Sequence, residues 1–200
     1  ASVKKIDLDL SMIDLIQGKI HIEDLDIKKP VVKVVQRGHQ FNFDDLVATL
    51  SEGESSQYTI DDFTLKGGEI HYLDLTEPSI PFSYTMDKLR VDIDNFNTSA
   101  PNHIQLSARL GKHGELEAVY DGMISDQSNM NLSVELEDVD LTGLSPLFVQ
   151  MFGKSVVSGE LDMTSEISCV NGHINGQNHI VIDEPKVEKV KNLSFTPEYK

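Results

Sequence analysis

A period of two residues in hydrophobicity is the feature that most constrains this chain. Over residues 157–169, apolar or small side chains alternate with Ser, Thr, Asp and Glu, which is typical of a strand with one side in a core and the other in water. Residues 104–110 and 116–124 alternate similarly around Gly111-Lys112-His113-Gly114, which predicts a β-hairpin. Residues 130–136 repeat the pattern. These segments predict an antiparallel meander.

Signals for helices are few. Asn42-Phe43-Asp44-Asp45 is typical of a capped helix start, and Ser51-Glu52-Gly53 is typical of its end. A second short helix is predicted over residues 144–152, with Ser145-Pro146 at its start and Gly153 at its end. Two short helices cannot cover many strands, so the sheet must curl or face another sheet. We therefore predict an all-β fold, a long curved and mostly antiparallel sheet that forms either a curled groove or a sandwich.

A degenerate repeat predicts that several strands are bulged. Its pattern is apolar, any residue, acidic or Lys, apolar, any residue, apolar, and it occurs at residues 3–8, 22–27, 60–65, 86–91 and 136–141. A regular strand cannot hold all three apolar residues of this pattern on one face, whereas a one-residue bulge at the charged pair can. The second and third copies extend further, since Ile20-His21-Ile22 matches Tyr58-Thr59-Ile60.

Composition excludes several classes of function. Seventeen Lys and Arg against 33 Asp and Glu give a net charge of −16, which would repel nucleic acids and anionic lipid headgroups.

The single cysteine, Cys169, alternates inward and is predicted to be a small buried core residue. No apolar run approaches the roughly 18 residues that a membrane-spanning helix needs. The length of 200 residues fits one domain, which we assign to residues 1–200.

Motifs that would indicate catalysis or metal binding are absent from the sequence. It has no nucleophile elbow, phosphate-binding glycine loop, dinucleotide fingerprint or His-Glu-x-x-His motif. His21 and His71 should face solvent, and Asp92-Ile93-Asp94-Asn95 lacks the glycine of a calcium loop. His173 and His179 are expected to flank a turn that contains glycine. We therefore predict a protein without enzymatic activity, cofactor or metal site.

The apolar side of the strands is the candidate functional surface. If it meets a second layer, the protein is a closed sandwich, and if it stays open, it forms a groove. An open apolar floor costs about 25 cal/mol per Å² in water, and an acyl chain laid on it would remove that cost. The residues predicted to line such a lipid groove are Leu106, Ala108, Leu116, Ala118, Leu132, Val134, Leu161, Met163 and Ile167.

Several motifs resemble the AsmA-like family of bacterial envelope proteins. Residues 18–32 and 41–46 are similar to the opening of that family, and Gly68-Glu69-Ile70-His71-Tyr72-Leu73-Asp74 is similar to its next strand. Motifs near the C-terminus resemble the branch formerly of unknown function: Leu144-Ser145-Pro146, Gly153-Lys154, Ser158-Gly159-Glu160-Leu161 and Ile174-Asn175-Gly176-Gln177-Asn178.

This resemblance implies a function in the cell envelope. The family, with TamB and YhdP as relatives, comprises periplasmic proteins anchored in the inner membrane, whose curled sheet is thought to carry phospholipid toward the outer membrane. It implies a non-enzymatic role in phospholipid transport or outer-membrane assembly, with phospholipid acyl chains and other envelope proteins as partners. Ala1-Ser2-Val3 leads directly into a strand, so we expect a fragment whose N-terminal membrane anchor is missing. The alternative is a structural or protein-interaction β-sandwich module of the envelope.

Overall fold

The computed structural model describes residues 1–11, 20–44, 58–77, 79–97 and 100–190. These residues form an all-β structure with one short helix, α1, which a 3₁₀ turn (Leu141–Leu144) precedes. The elements are β1 (Lys5–Leu10), β2 (Ile20–Lys28), β3 (Val31–Arg37), β4 (Gln40–Phe41), β5 (Tyr58–Asp74), β6 (Phe82–Asn97), β7 (Asn102–Leu110), β8 (Gly114–Gly122), β9 (Met130–Asp140), α1 (Ser145–Phe152), β10 (Lys154–Val170) and β11 (His173–Lys189).

The described strands form one open sheet of 11 strands. Its order is β1-β2-β5-β6-β7-β8-β9-β10-β11, with β3 beside β5 and β4 beside β3. All pairs are antiparallel except β2–β5 and β3–β5. The predicted all-β fold with a curved, mostly antiparallel sheet is confirmed. Of the two predicted arrangements, the described strands form the single open sheet, and they include no second sheet that faces it.

The protein exposes a large surface for its mass. Its accessible area is 13783 Å², whereas a compact globule of the same mass would expose about 9,400 Å². No large side chain in the described residues is fully buried. The best-covered apolar residues include Phe82, Val139, Leu141 and Val156, each below 9% exposed. The core is therefore small, and much of the sheet has water on both sides.

The two extended repeat copies lie side by side in the sheet. Ile20 pairs with Tyr58 and Ile22 pairs with Ile60, in parallel and in register. β2 ends at the level where the Lys29 backbone N–H donates to the Lys66 carbonyl at 2.8 Å, while β5 continues with register shifts around Gly68. Beyond this level β3 continues along β5. The match between the copies therefore corresponds to a parallel pairing, which the period of two did not predict.

Register shifts confirm three of the five predicted bulges. They lie at Glu23, at Lys88 and at Asp138, and the last two residues have φ of 52° and 51°. The bulge at Asp138 keeps Leu136 and Val139 on the same face, as expected. Residues 3–8 and 60–65 show no register shift, although Asp61 is skipped in the ladders with both β2 and β6.

The helix predicted over residues 144–152 is confirmed as α1, which ends at Gly153 with φ of 64°. The helix predicted from Asn42 to Gly53 lies almost entirely outside the described residues.

The turn predicted between His173 and His179 is wrong, because Gly176 pairs with Ile167 inside β11. The chain turns earlier, at Asn171-Gly172, where both residues have positive φ (51° and 77°). Such a pair matches the twist of a two-residue hairpin.

Candidate functional site

The nine residues predicted to line a groove lie on one face of strands β7–β10. Leu106 faces Ala118, which in turn faces Val134, so these three side chains form a row across β7, β8 and β9. Leu161 and Met163 of β10 lie in the same surface, where they face Val139 and Leu136 on either side of the bulge at Asp138. We call this surface the apolar face; its predicted members are Leu106, Ala108, Leu116, Ala118, Leu132, Val134, Leu161, Met163 and Ile167.

The apolar face is only partly covered. Among the nine residues, Ala108 alone is buried, at 8% exposed, and the other eight are half-buried. Half-burial arises from neighbouring side chains on the same sheet, since in the described residues no second layer faces the centre of this surface. An apolar ligand can therefore reach it from solvent.

The apolar face extends beyond the predicted residues toward β2. The row that contains Leu106 continues through Val91 and Leu65 to Ile27, in register on β6, β5 and β2. Five strand spacings of about 4.8 Å make this stripe about 24 Å long. The sequence analysis did not include these three residues, although each is the last apolar position of a repeat copy. The repeat was therefore the signal that would have found them.

One end of the apolar face is closed by the 3₁₀ turn and α1, which contact β10. Leu141 is 6% exposed there, and Val156, also 6% exposed, donates its backbone N–H to Ser145 Oγ at 2.9 Å. The Asp140 carboxylate accepts from the Thr142 hydroxyl at 2.6 Å and from its N–H at 2.8 Å. These bonds lower the pKa of Asp140, so the carboxylate that begins the turn stays ionised.

Tyr84 fills the remaining space at the closed end. A Cβ atom added at Gly143 would lie 3.3 Å from Tyr84 Cε2, and one added at Gly111 would lie 3.3 Å from the Tyr84 hydroxyl. Burial raises the pKa of this hydroxyl. The end near α1 therefore has little free space, and the accessible part of the apolar face lies away from it.

A polar pair interrupts the apolar face near its other boundary. The partner of Val134 on β10 is Ser165, which is 6% exposed and donates to Asn178 Oδ1 at 2.6 Å. The apolar stripe from Ile27 therefore ends at β9 at this level. The alternation along β10 predicted an apolar surface here but did not resolve this polar position.

The opposite face of the sheet is strongly acidic. Glu115 faces Glu137 and Glu117 faces Glu135 across β8 and β9. Repulsion from Glu135, then burial and other acids nearby, raises the pKa of Glu137. A cleft of about 440 Å³ on this face is lined by polar side chains, among them Ser133, Glu166 and Gln177, and by apolar ones such as Val119. This cleft therefore lies among charged and amide side chains, whereas the apolar face is a shallow open surface.

Replacing Glu137 with Gln is expected to raise the melting temperature at neutral pH by about 1 °C. The folded-state pKa of Glu137 is raised, so its ionisation opposes folding once the pH exceeds that pKa, and this cost disappears below the unfolded-state pKa. Thermal melts at pH 7 should show this increase in melting temperature, and the increase should be smaller in high salt. Melts at acid pH should show no increase. Glu188→Gln is the control and should leave the melting temperature unchanged, both at pH 7 and at acid pH. A gain that persists at acid pH would contradict the electrostatic origin.

The histidines and acids singled out in the sequence have ordinary partners. His21 Nε2 lies 2.8 Å from Asp61 Oδ1, and His71 Nε2 lies 2.9 Å from Glu69 Oε1. The Arg90 guanidinium donates to the Asp92 carboxylate. Cys169 is buried, as predicted. Within the described ranges, no group of three or more His, Cys, Asp or Glu side chains is placed to hold a metal ion.

No protein-family model matches this chain, and a search of curated proteins finds no match. Among the residues that the structure describes, no helix is long and apolar enough to cross a membrane. Function must therefore be inferred from the geometry and chemistry of the sheet.

Proposed function

We propose that this protein is a non-enzymatic component of the bacterial envelope, of the AsmA-like type, that binds phospholipid acyl chains on its apolar face. In this role it contributes to phospholipid transport or outer-membrane assembly in the periplasm. A segment outside these 200 residues would anchor it in the inner membrane. The observation that supports the proposal is the partial exposure of eight of the nine residues on the apolar face.

The free energy of the apolar face favours an apolar ligand. Each Å² that remains in water costs about 25 cal/mol, and a hydrocarbon chain on the surface would remove that cost. This driving force is non-directional, so it needs no specific polar contact. An open apolar stripe formed by residues such as Leu106, Ala118 and Val134 therefore suits a flexible acyl chain better than a polar metabolite.

The acidic face complements this role. Carboxylates such as Glu117, Glu135 and Glu137 lie on the side opposite the apolar face, so they keep an open apolar sheet soluble without contact with the ligand. Their charge also disfavours adsorption of this side to anionic headgroups. Lipid would therefore contact the sheet from one side only.

Two of the motifs that resemble the AsmA-like family lie on neighbouring strands, and those near the C-terminus lie between the 3₁₀ turn and β11. Residues 18–32 include β2, and residues 68–74 complete β5, which pairs in parallel with β2 and β3. This unit carries the stripe residues Ile27 and Leu65. The resemblance and the proposed lipid surface therefore involve the same strands, which supports the assignment to the envelope.

Val134→Asp is expected to reduce lipid binding by about tenfold, because it buries a charge beneath a hydrocarbon chain. Val119→Asp is the matched control, since Val119 is also half-buried and lies on the neighbouring strand β8, but its side chain faces the polar side. Phospholipid in gently purified protein would be measured by mass spectrometry, and fatty-acid binding by fluorescence titration. Circular dichroism would confirm that both variants are folded.

The two variants separate a lipid surface from a general effect on the sheet. Lipid in the wild-type and Val119→Asp proteins, together with its loss from Val134→Asp, would support the proposal. Absence of lipid from all three, or equal loss from both variants, would contradict it.

A further inference from the structure

Strand β11 presents a long uncovered edge. It has 17 residues, all of them exposed, and among the described strands it pairs only with β10. Its outer edge therefore offers unpaired backbone N–H and C=O groups to another strand. Ile174 and Ile180 are 72% and 56% exposed on this strand, so the edge is also apolar.

The usual protection against edge pairing is confined to the second part of β11. Glu184 has φ of 43° and is followed by Pro185, and the charged residues Lys186, Glu188 and Lys189 come after it. A bend, a proline and charges all discourage pairing with another strand. Residues 173–183, in contrast, pair with β10 without a register shift, and Asp183 is their single formal charge. We call residues 173–183 the β11 edge.

We propose that the β11 edge pairs with the β11 edge of a second copy of this chain, antiparallel about a two-fold axis at Asn178. Asn178 is the midpoint of the regular segment, so this register pairs every residue from 173 to 183. Each residue of one copy then faces the residue of the second copy that lies the same number of positions from Asn178 in the opposite direction along the sequence. Facing residues share a side of the sheet in this register, so the two apolar faces become continuous.

The side chains of the β11 edge are complementary in this register. Ile174 faces Ile182 of the second copy at both ends of the segment, and these residues are 72% and 49% exposed in the single chain. His173 faces Asp183, so an imidazole N–H can donate to a carboxylate on the polar side. Ile180 faces Gly176, where the missing side chain leaves room for it.

The other edge of the sheet is less suited to pairing. Strand β1 has only 6 residues, and Lys5, Asp7 and Asp9 alternate with its apolar positions. A pairing of β11 with β1 would also be heterologous and would build rings or open fibres, whereas the self-pairing of β11 closes as a dimer. A single pair of strand edges forms a small interface, so we expect a dimer that depends on protein concentration.

Disulfide cross-linking tests the register directly. In a Cys169→Ala background, Asn178→Cys should form a covalent dimer on mild oxidation, because directly facing residues have Cα atoms about 4.5–5.5 Å apart. Asn175→Cys and Val181→Cys face each other in the proposed register. Each alone should therefore remain mainly monomeric, and their mixture should form a mixed dimer. Lys112→Cys, in the β7–β8 hairpin, measures random collision.

A charge exchange tests the same interface without cysteines. His173→Asp places two carboxylates opposite each other at both ends, so sedimentation velocity should show weaker dimerisation than for the wild-type chain. Adding Asp183→Lys restores opposite charges and should restore the dimer. The double variant also shows that any loss in the single variant comes from the interface and not from misfolding.

The outcomes decide the proposal. The proposal is supported if Asn178→Cys cross-links to a much greater extent than Lys112→Cys, and if Asn175→Cys and Val181→Cys together form a mixed dimer. A chain that is monomeric at all concentrations, or cross-linking by Val181→Cys alone, would overturn it.

Discussion

Phe82→Ala is expected to lower the free energy of unfolding by about 3–5 kcal/mol, which for a chain of this size lowers the melting temperature by about 10 °C. Phe82 is 4% exposed. Its ring lies edge-on to Tyr72 and stacked on Tyr84, with centroids 5.9 Å apart in both pairs. Few side chains in this open sheet are so well covered, so the loss of one removes a large part of the core.

Phe152→Ala is the matched control for this prediction. Phe152 ends α1 and is 59% exposed, so its truncation should change the free energy of unfolding by less than about 0.5 kcal/mol. Urea denaturation followed by circular dichroism measures both variants. Similar losses in the two would show that the stability does not come from the cluster around Phe82.

Gly114→Ala is expected to destabilise the protein by about 1–3 kcal/mol, through overpacking. A Cβ atom at this position would lie 3.0 Å from the Cα atom of Val139 and 3.1 Å from the carbonyl oxygen of Leu110. Both are backbone atoms, so neither can rotate away. The substitution would therefore push β8 away from the bulge in β9, and thermal melts should detect the loss.

Gly176→Ala separates this contact from the general cost of replacing a strand glycine. The nearest atoms to a Cβ at residue 176 are 3.8 and 3.9 Å away, which is ordinary contact. Alanine also restricts the unfolded chain, so at concentrations where the protein is monomeric this variant should be neutral or up to about 0.5 kcal/mol more stable. An equal loss from both variants would contradict the steric explanation.

The features that the sequence predicted correctly are local ones. Alternation over residues 157–169 predicted β10, and Gly111–Gly114 predicted the turn between β7 and β8. Both depend on side chains that are close in sequence. The spacing of apolar residues also predicted the bulge at Asp138, since only a bulge keeps Leu136 and Val139 on one face.

The choice of neighbouring strand could not be predicted in the same way. Alternation determines which side of a strand is apolar but not which strand lies beside it, so the parallel pairing of β2 with β5 was missed. The turn before β11 was missed for a different reason. Asn171-Gly172 is a strong hairpin signal between alternating segments, but the later Gly176 was interpreted as the turn.

The alternation predicted that the nine residues of the apolar face share one side of the sheet, but it did not predict how exposed they are. Residues such as Leu116 and Val134 would alternate identically in a closed sandwich and in an open sheet, because the pattern reports only one preferred side. Coverage depends on whether a distant element lies on that side. In this protein α1 and the 3₁₀ turn cover only one end of it.

The parallel pairing of β2 with β5 has a consequence for the order in which the chain assembles. From β7 to β11 each strand pairs with the next one along the chain, several of them through turns of a few residues. Closing such short connections costs little entropy. Ile22, in contrast, must find Ile60 across the whole intervening segment. Contacts between distant residues form slowly, so we expect the C-terminal meander to act as the template on which the N-terminal strands dock.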